Sequence, residues 1–217
     1  MITATYIDHM GTDLSVVNAA RVSFGKKREA LGTVTANGET SIVLHDTDQK
    51  LIKYLAKHKH MSPFGHCFAS FHVKAPVFVA RQLVKHKFLR WNEVSRRYTT
   101  ENIEFYTPDV WRGKSADKKQ GSEGVVDVGD WGDTNWACLT AYNDLLEHGV
   151  APEQARMVLP QSTMTEWYWS GSLDAFSDMC NLRCKPDTQA ETRLVADIIA
   201  GRMIHLFPVA WEALTDD

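Results

Sequence analysis

A strand-like stretch followed by a proline places the strongest constraint on the fold. Residues 66–73 read HCFASFHV, in which every second side chain is small or apolar and those between them are mostly polar. This period of two predicts a strand with one buried face. Pro76 follows where a helix can begin, because proline is tolerated in the first turn, and the pattern predicts a helix from Val77 to about Lys87.

Strands and helices are predicted along the rest of the chain without a regular alternation. Strands are predicted at residues 2–7 and 165–172, and a hairpin turn at residues 35–40. Helices are predicted after a cap at Thr12 or Asp13 and at residues 46–58, 133–148 and 152–159. A last helix carries Leu194, Ile198 and His205 on one face, with Val195 and Ile199 beside them, and is predicted to begin with the capping box Thr188-x-x-Glu191. Because no βαβ rhythm is present, the sequence favours an α+β fold.

Length and composition fit one folded unit. The chain has 217 residues with 44% apolar side chains, and residues 1–217 are expected to form a single domain. Residues 112–133 carry five glycines and mixed charges, which predicts a surface loop. The opening MITATYIDHM lacks a signal-peptide pattern, and no stretch approaches the roughly 18 apolar residues of a membrane span. A cytoplasmic protein with reduced cysteines is therefore expected.

The segment that says most about function is basic. Residues 81–97 hold six Lys or Arg side chains and one Glu, a net charge of +5, whereas the whole chain carries −3. Like charges this close repel one another unless anions or solvent screen them. Gln82, His86, Asn92 and Ser95 lie among these charges, and such a mixture of polar groups suits a phosphorylated organic ligand. A solvated basic surface is the alternative interpretation.

The same segment resembles a known signature. Residues 85–98 read KHKFLRWNEVSRRY, which is similar to the RHRxxSxNExSxRY signature of flavin-dependent thymidylate synthases. Four other stretches are similar to segments of that family in order and spacing: DLSVVNAARVSF (13–24), KHKHMSPFGH (57–66), FHVKAPVFVARQL (71–83) and GVAPEQARMVLP (149–160), followed by NLR at 181–183 and by Gln189. Residues 25–45 and 112–133 fall outside the resemblance and are expected to be surface insertions. The resemblance implies a central, mostly antiparallel sheet flanked by helices.

The resemblance also implies FAD as the cofactor. The family's R-H-R residues contact the flavin, and here Lys85, His86 and Lys87 stand in their places. Lysine keeps the positive charge but lacks the two-pronged geometry of arginine. The remaining flavin contacts implied by the resemblance are Ser62, Glu93, Ser172 and Asp178. Further departures from the family pattern are Arg90 where the family often has a small polar residue, Gly65 in place of a glutamate, and Ser172-Leu173-Asp174 in place of N-x-R.

For the substrate, the resemblance implies a pyrimidine nucleotide, dUMP. The positions that match the family's nucleotide contacts are Gln82, Lys85, Glu93, Ser95, Arg97, Arg156 and Arg183. Arg183 and Ser95 are the expected catalytic residues: Arg183 pairs with the pyrimidine edge and favours an electron-rich ring, while Ser95 holds the monophosphate without acting as a nucleophile. Methylenetetrahydrofolate and NADPH are the implied co-substrates, and the implied assembly is a homotetramer with shared active sites.

Other chemical interpretations of single residues are weaker. His58, His60, His66 and His72 lie close in sequence to Cys67, but His66 and Cys67 point to opposite sides of a strand, so no metal site is expected. His60 is expected to line a ligand site. Cys180 and Cys184 lie one helical turn apart, and they are interpreted as buried or incidental thiols. Trp91 is placed to stack on a ligand ring.

Three functional hypotheses remain open at this stage. The first is the methylation of dUMP. The second keeps the fold and the flavin but modifies C5 of another pyrimidine nucleotide, or leaves a hydroxymethyl group. The third is a non-enzymatic nucleic-acid-binding protein, against which the net negative charge of the remaining chain argues. No nucleic-acid or membrane partner is expected.

Overall fold

The computed structural model describes residues 1–36, 39–116, 121–129 and 132–215. The strands are β1 (Thr3–Met10), β2 (Gly32–Ala36), β3 (Glu39–Val43), β4 (Phe68–Pro76), β5 (Leu89–Glu93), β6 (Trp111–Lys114), β7 (Ser122–Val126) and β8 (Met164–Ser172). The helices are α1 (Asp13–Arg21), α2 (Asp46–Lys57), α3 (Val77–Leu83), α4 (Gly132–Glu147), α5 (Pro152–Ala155), α6 (Leu173–Arg183), α7 (Ala190–Leu206) and α8 (Pro208–Thr215). Within these ranges no helix combines the length and apolarity needed to cross a bilayer.

A four-stranded antiparallel sheet in the order β1-β4-β8-β5 forms the centre of the molecule. The two central strands pair over nine residues, from Phe68 opposite Ser172 to Pro76 opposite Met164. Helices pack beside this sheet, with α6 and α7 supplying the largest shares of the helical core. The α+β prediction, with a central antiparallel sheet and flanking helices, is confirmed.

The period of two predicted for β4 divides the sheet into a buried and a polar face. Phe71 and Val73 are fully buried on β4 and lie opposite Trp169 and Trp167 of β8, which are also buried. On the other face, the Ser70 and Ser170 hydroxyls are 2.8 Å apart, and His72 Nε2 lies 3.1 Å from Glu166 Oε2. An antiparallel sheet with one packed face and one polar face gives this alternation.

Buried polar groups tie distant helices to the core. Thr12 caps α1 as predicted, through a capping box with Ser15. The Asp13 carboxylate is buried and accepts the backbone N–H groups of Val209 and Ala210, at 3.0 and 2.9 Å, at the start of α8. Burial raises the pKa of Asp13 above its ordinary value, against the lowering effect of these two hydrogen bonds. The Asp13 carboxylate therefore holds α1 against α8, the last helix of the chain.

The prediction of a loop over residues 112–133 was wrong for the part that the structure describes. Strands β6 and β7 form an antiparallel hairpin there, and the Arg112 guanidinium lies 2.5 Å from Glu191 Oε1 of α7. This ion pair anchors the hairpin to α7. The glycine-rich sequence indicates neither the hairpin nor the ion pair. The other predicted hairpin is confirmed as β2–β3, although its turn residues Asn37 and Gly38 lie outside the described residues.

Several predicted boundaries were wrong. Helix α3 ends at Leu83 and not near Lys87, and both β5 and α6 were missed. The capping box at Thr188 is also wrong, because the Thr188 hydroxyl donates to Leu182 O and Glu191 pairs with the β6–β7 hairpin. The predicted face of α7 was displaced: Val195 and Ile199, predicted to lie beside it, are buried with Met203, whereas Leu194 and His205 are exposed.

Candidate active site

The basic turn between α3 and β5 is placed by a close strand approach. Phe88 has a left-handed backbone with φ of 63°, and its side chain is 82% exposed. Leu89 begins β5 opposite Gly171 of β8, where an added Cβ would lie 2.4 Å from Leu89 Cδ2 and 3.0 Å from Phe88 O. Only glycine leaves room for this approach. The turn therefore presents Lys85 and Lys87, both exposed, at the edge of the sheet.

Three predicted site residues form one hydrogen-bonded group beside this turn. Arg183, the last residue of α6, donates from Nε to His86 Nε2 at 3.0 Å and from Nη2 to the carbonyl oxygen of Gln82 at 3.2 Å. The Gln82 side chain donates to Gln189 Oε1 at 2.5 Å. These contacts join α3 and the turn to α6 and the start of α7, and they fix the plane of the guanidinium.

The electrostatics of this group keep His86 neutral. Burial, together with the neighbouring Arg183 charge, lowers the pKa of His86 from 6.5 to about 4. Burial also lowers the pKa of Arg183, which nevertheless remains a cation at neutral pH. A neutral imidazole with its proton on Nδ1 can accept the Arg183 Nε–H bond, whereas a protonated one cannot.

A cleft of about 750 Å³ lies between α3 and α5, here called the α3–α5 cleft. Glu93, Ser95 and Arg156 line it, together with Arg81 and Arg96. The Glu93 carboxylate accepts hydrogen bonds from Thr165 Oγ1 at 2.7 Å and from Trp91 Nε1 at 3.1 Å. Three guanidinium groups outnumber the two carboxylates of the lining, Glu93 and Glu153, and give a cleft with a net positive charge that suits a phosphate group.

Two residues of the basic segment lie differently from their predicted roles. Arg97 does not line the α3–α5 cleft; its Nη2 donates to the Tyr98 hydroxyl at 2.6 Å. Its backbone N–H donates to Ser95 Oγ at 3.3 Å, so it still shapes the turn around Ser95. The Trp91 ring stacks on Trp167, with ring centroids 4.3 Å apart and planes at 19°, and so serves the sheet edge.

A second cleft, of about 870 Å³, lies between α1 and α2 and is here called the α1–α2 cleft. Ser62 and His60 line it, with Arg21, Lys50 and Tyr54. The last three were not predicted as site residues, because Arg21 ends α1 whereas Lys50 and Tyr54 lie one turn apart on α2, and the sequence does not show that the two helices face each other. The Tyr54 and His60 ring centroids are 6.2 Å apart.

The last two predicted flavin contacts lie at α6. Ser172 is buried in the position just before the helix, with 8% of its surface exposed. Asp178 is exposed on α6. Burial and the nearby Asp174 charge raise the pKa of Asp178, while Lys59 opposes this rise, so Asp178 lies within electrostatic range of the segment that leads to Ser62.

The predicted site residues thus fall into separate groups within one chain. Ser62 precedes the Phe68 end of β4, and the α3–α5 cleft lies beyond its Pro76 end, next to Val77. The eight steps along the nine residues of β4, at about 3.3 Å each, place the ends of the strand about 26 Å apart. One chain therefore does not bring all of these residues around a single small molecule.

Comparison with known proteins shows which protein family this chain and its candidate site residues represent. The family described as "Thymidylate synthase complementing protein" matches residues 5–209. A flavin-dependent thymidylate synthase from Thermus thermophilus is 39% identical over 214 residues, which covers 97% of this chain and 74% of that protein. The chain belongs to the flavin-dependent thymidylate synthase family. The family relative from Kosmotoga olearia is 38% identical and covers 95% of this chain and 87% of its own length.

Solved structures agree with this family assignment. The UMP/dUMP methylase PolB from Streptomyces cacaoi, bound with 5-Br dUMP, superposes with a TM-score of 0.82 at 32% sequence identity. The match covers 99% of this chain and 95% of that one. Flavin-dependent thymidylate synthases are enzymes that transfer one carbon unit, which favours the enzymatic hypotheses over the non-enzymatic nucleic-acid-binding one.

Proposed function

We propose that this flavin-dependent thymidylate synthase family member converts dUMP to dTMP by reductive methylation at C5. Methylenetetrahydrofolate is the carbon donor, and FAD reduced by NADPH is the hydride source. Family membership over residues 5–209 and the similarity to a dUMP methylase support this reaction. The proposed setting is the cytoplasm.

The observation that carries the proposal is the fixed guanidinium of Arg183. His86 and Gln82 hold it at 3.0 and 3.2 Å, so its orientation is set before a ligand arrives. A cation held beside the pyrimidine N3 and its carbonyl oxygen stabilises the N3-deprotonated ring, which makes C5 electron-rich. C5 can then attack an activated one-carbon unit without a protein nucleophile. Gln82 is proposed to contact the same pyrimidine.

The phosphate end of the nucleotide is assigned to the α3–α5 cleft. Ser95 and Arg156 line it with two further guanidinium groups, and arginine binds phosphate through paired hydrogen bonds. Arg97 is exposed, and we propose that it completes this contact only when a ligand or a neighbouring subunit is present. Glu93 is already held by Thr165 and Trp91, so it offers a fixed acceptor to the substrate or the flavin.

The residues present suit FAD. Lys85 and Lys87 offer two exposed cations for its pyrophosphate, and neutral His86 lies between them in sequence. The α1–α2 cleft, with Ser62 and His60, has room for a large planar cofactor. When bound, the flavin supplies the hydride. Ser172 is buried and Asp178 exposed, so Asp178 is the more accessible of the two proposed contacts at α6.

The separation of these groups supports a homotetramer with shared active sites. Within one chain the two clefts lie beyond opposite ends of β4, a strand about 26 Å long at the usual rise. Large apolar side chains are exposed near the basic segment and the α3–α5 cleft, with Phe88 at 82%, Tyr98 at 76% and Met157 at 78%. Contact between subunits would cover them and bring one chain's Ser62 end to another chain's Arg156 end.

The test is anaerobic turnover of the purified protein with dUMP, methylenetetrahydrofolate and NADPH, with products identified by mass. We expect dTMP, a yellow protein that releases FAD on denaturation, and a tetramer in sedimentation. Arg183→Met should lose at least about 100-fold in kcat/KM, as expected when an oriented cation is removed. The charge-matched control Lys185→Met should keep activity. An active monomer, or full activity in Arg183→Met, would refute the proposal.

A second candidate substrate is UMP. The similar protein PolB is named a UMP/dUMP methylase, and its structures include one bound with 5-Br UMP. This chain also departs from the family pattern at Lys85, Lys87, Arg90 and Gly65. Competition between UMP and dUMP in one reaction, read by product mass, separates the two substrates. The same spectra distinguish a methyl from a hydroxymethyl product.

A further inference from the structure

Gln189 has no part in the reaction proposed above, yet it contacts a residue of the proposed nucleotide site. It lies just before α7, half-buried, and its Oε1 accepts a hydrogen bond from Gln82 Nε2 at 2.5 Å. The carbonyl oxygen of Gln189 accepts the Arg193 N–H at 2.9 Å, in the first turn of α7. The start of α7 therefore supplies the Gln82 amide with a hydrogen-bond acceptor.

Gln82 connects Gln189 to Arg183. Its side chain donates to Gln189, and its carbonyl oxygen accepts Arg183 Nη2 at 3.2 Å. Gln82 and Arg183 are both half-buried, so neither is closed off from a ligand. A pyrimidine bound at the Arg183 guanidinium is therefore within reach of the Gln82 amide.

Arg183 alone does not distinguish uracil from cytosine at the N3–O2 edge. A guanidinium carries only N–H donors. Uracil deprotonated at N3 and neutral cytosine both present acceptors at N3 and O2, so the guanidinium can bind either base. The two bases differ at C4, where uracil carries an acceptor oxygen and cytosine an amino donor. Selection between them therefore needs a second group whose donor or acceptor is fixed.

A freely rotating amide does not provide this selection. Half a turn about its last bond exchanges oxygen and nitrogen, so a free Gln82 could donate to uracil O4 or accept from cytosine N4. Gln189 opposes this rotation, because a rotated Gln82 would set its oxygen against Gln189 Oε1, acceptor against acceptor. Nε2 carries two N–H groups, and among the described residues only Gln189 accepts one of them. The other N–H remains for uracil O4.

We propose that Gln189 is a positioning residue that holds the Gln82 amide in the orientation that favours uracil over cytosine nucleotides. The inference rests on the proposed function, because it takes the nucleotide to bind beside Arg183. Gln82 would touch the base, whereas Gln189 acts only through Gln82. A cytosine amino group would meet the Gln82 N–H as donor against donor, and each would lose a hydrogen bond.

The test is isothermal titration calorimetry of the FAD-loaded protein with dUMP and with dCMP. The wild type should bind dUMP at least about tenfold more tightly than dCMP, about the worth of one hydrogen bond. Gln189→Leu and Gln189→Ala remove the acceptor and free the amide, so this preference should fall to about twofold or less. Gln189→Glu offers an acceptor on both arms and should keep the preference.

The direction of the change separates positioning from structural damage. In Gln189→Leu and Gln189→Ala, the affinity for dCMP should rise while that for dUMP changes little, whereas damage would weaken the binding of both nucleotides. Gln154→Leu, the same change at an exposed position of α5, should bind both normally. Thermal unfolding shows which variants are folded. Equal affinities in the wild type, an unchanged preference in a folded Gln189→Leu or Gln189→Ala, or its loss in Gln189→Glu would overturn the proposal.

Turnover separates this inference from the proposed reaction. If the wild type makes no dTMP but binds dUMP selectively, and Gln189→Leu does not, the proposed reaction fails and the inference stands. If the wild type makes dTMP and Gln189→Leu prefers dUMP as strongly as the wild type does, the inference alone is refuted.

Discussion

The contact between Arg183 and His86 predicts a pH-dependent loss of stability that one substitution should remove. Above pH 6.5, His86 is neutral in the folded and the unfolded chain. Between pH 6.5 and about 4 the unfolded chain takes up a proton that the folded chain refuses, because burial and Arg183 lower the folded pKa to about 4. Stability is therefore complete above this window and falls as the pH drops through it.

The size of this effect follows from the change in pKa. A decrease from 6.5 to about 4 corresponds to about 3.4 kcal/mol, at about 1.36 kcal/mol per unit. The His86 ring is only half-buried, so solvent screening reduces this, and we expect about 1–2 kcal/mol. His86→Gln keeps an acceptor for Arg183 but cannot be protonated in this range. On acidification, the free energy of unfolding of the variant should therefore fall by about 1–2 kcal/mol less than that of the wild type.

The assay is urea unfolding of wild type and His86→Gln at pH 7.5 and pH 4.5, at one protein concentration. All other titrating groups are common to both proteins, so the difference between their pH effects isolates His86. At a urea m-value of about 2–3 kcal/mol/M, the wild-type midpoint should fall by about 0.5 M more than that of the variant. Parallel losses in the two proteins would show that His86 titrates freely and that the reasoning is wrong.

Two further predictions concern stability. Gly171→Ala should lower the free energy of unfolding by about 1–3 kcal/mol, because its Cβ meets the Phe88 carbonyl. Gly32→Ala, whose Cβ would meet no atom within 4 Å, should lower it little. Thermal unfolding midpoints that fall equally in the two variants would contradict this. Asp48→Asn should cost about 2–4 kcal/mol, since this buried carboxylate pairs with Arg21 and Arg28 at 2.5 and 2.9 Å, and its pKa is lowered by the two guanidinium groups against the effect of burial. Asp46 is exposed, so the control Asp46→Asn should leave the free energy of unfolding in urea unchanged. The stability advantage of the wild type over Asp48→Asn should vanish as the pH falls below about 4.

The sheet was predictable wherever burial imposes a simple period. Strand β4 alternates because Phe71 and Val73 face the core while Ser70 and His72 face the polar side. Helix α6 was not predictable in the same way, because it is buried on several sides at once. Small residues such as Ser177 and Cys180 are buried there beside Phe176, so no single apolar stripe marks the helix.

The contacts of the candidate site were also not predictable where they join residues far apart in the sequence. The basic segment was visible as a local excess of charge, and the resemblance named Arg183 as a partner. The hydrogen bond between Arg183 and His86 joins residues 97 positions apart, which no local pattern reports. The ion pair between Arg112 and Glu191 was missed for a related reason. Glu191 had been assigned to a helix cap, and its ion pair comes from a hairpin whose sequence predicts a loop.

The length of β4, together with the proposed sharing of active sites between subunits, predicts a genetic consequence. A chain damaged near Ser62 still carries an intact Arg156 end, and a chain damaged near Arg156 still carries an intact Ser62 end. If mixed assemblies form, two copies that are each inactive alone can rescue one another when both are expressed in the same cell. Two lesions at the same end of the strand should never do so.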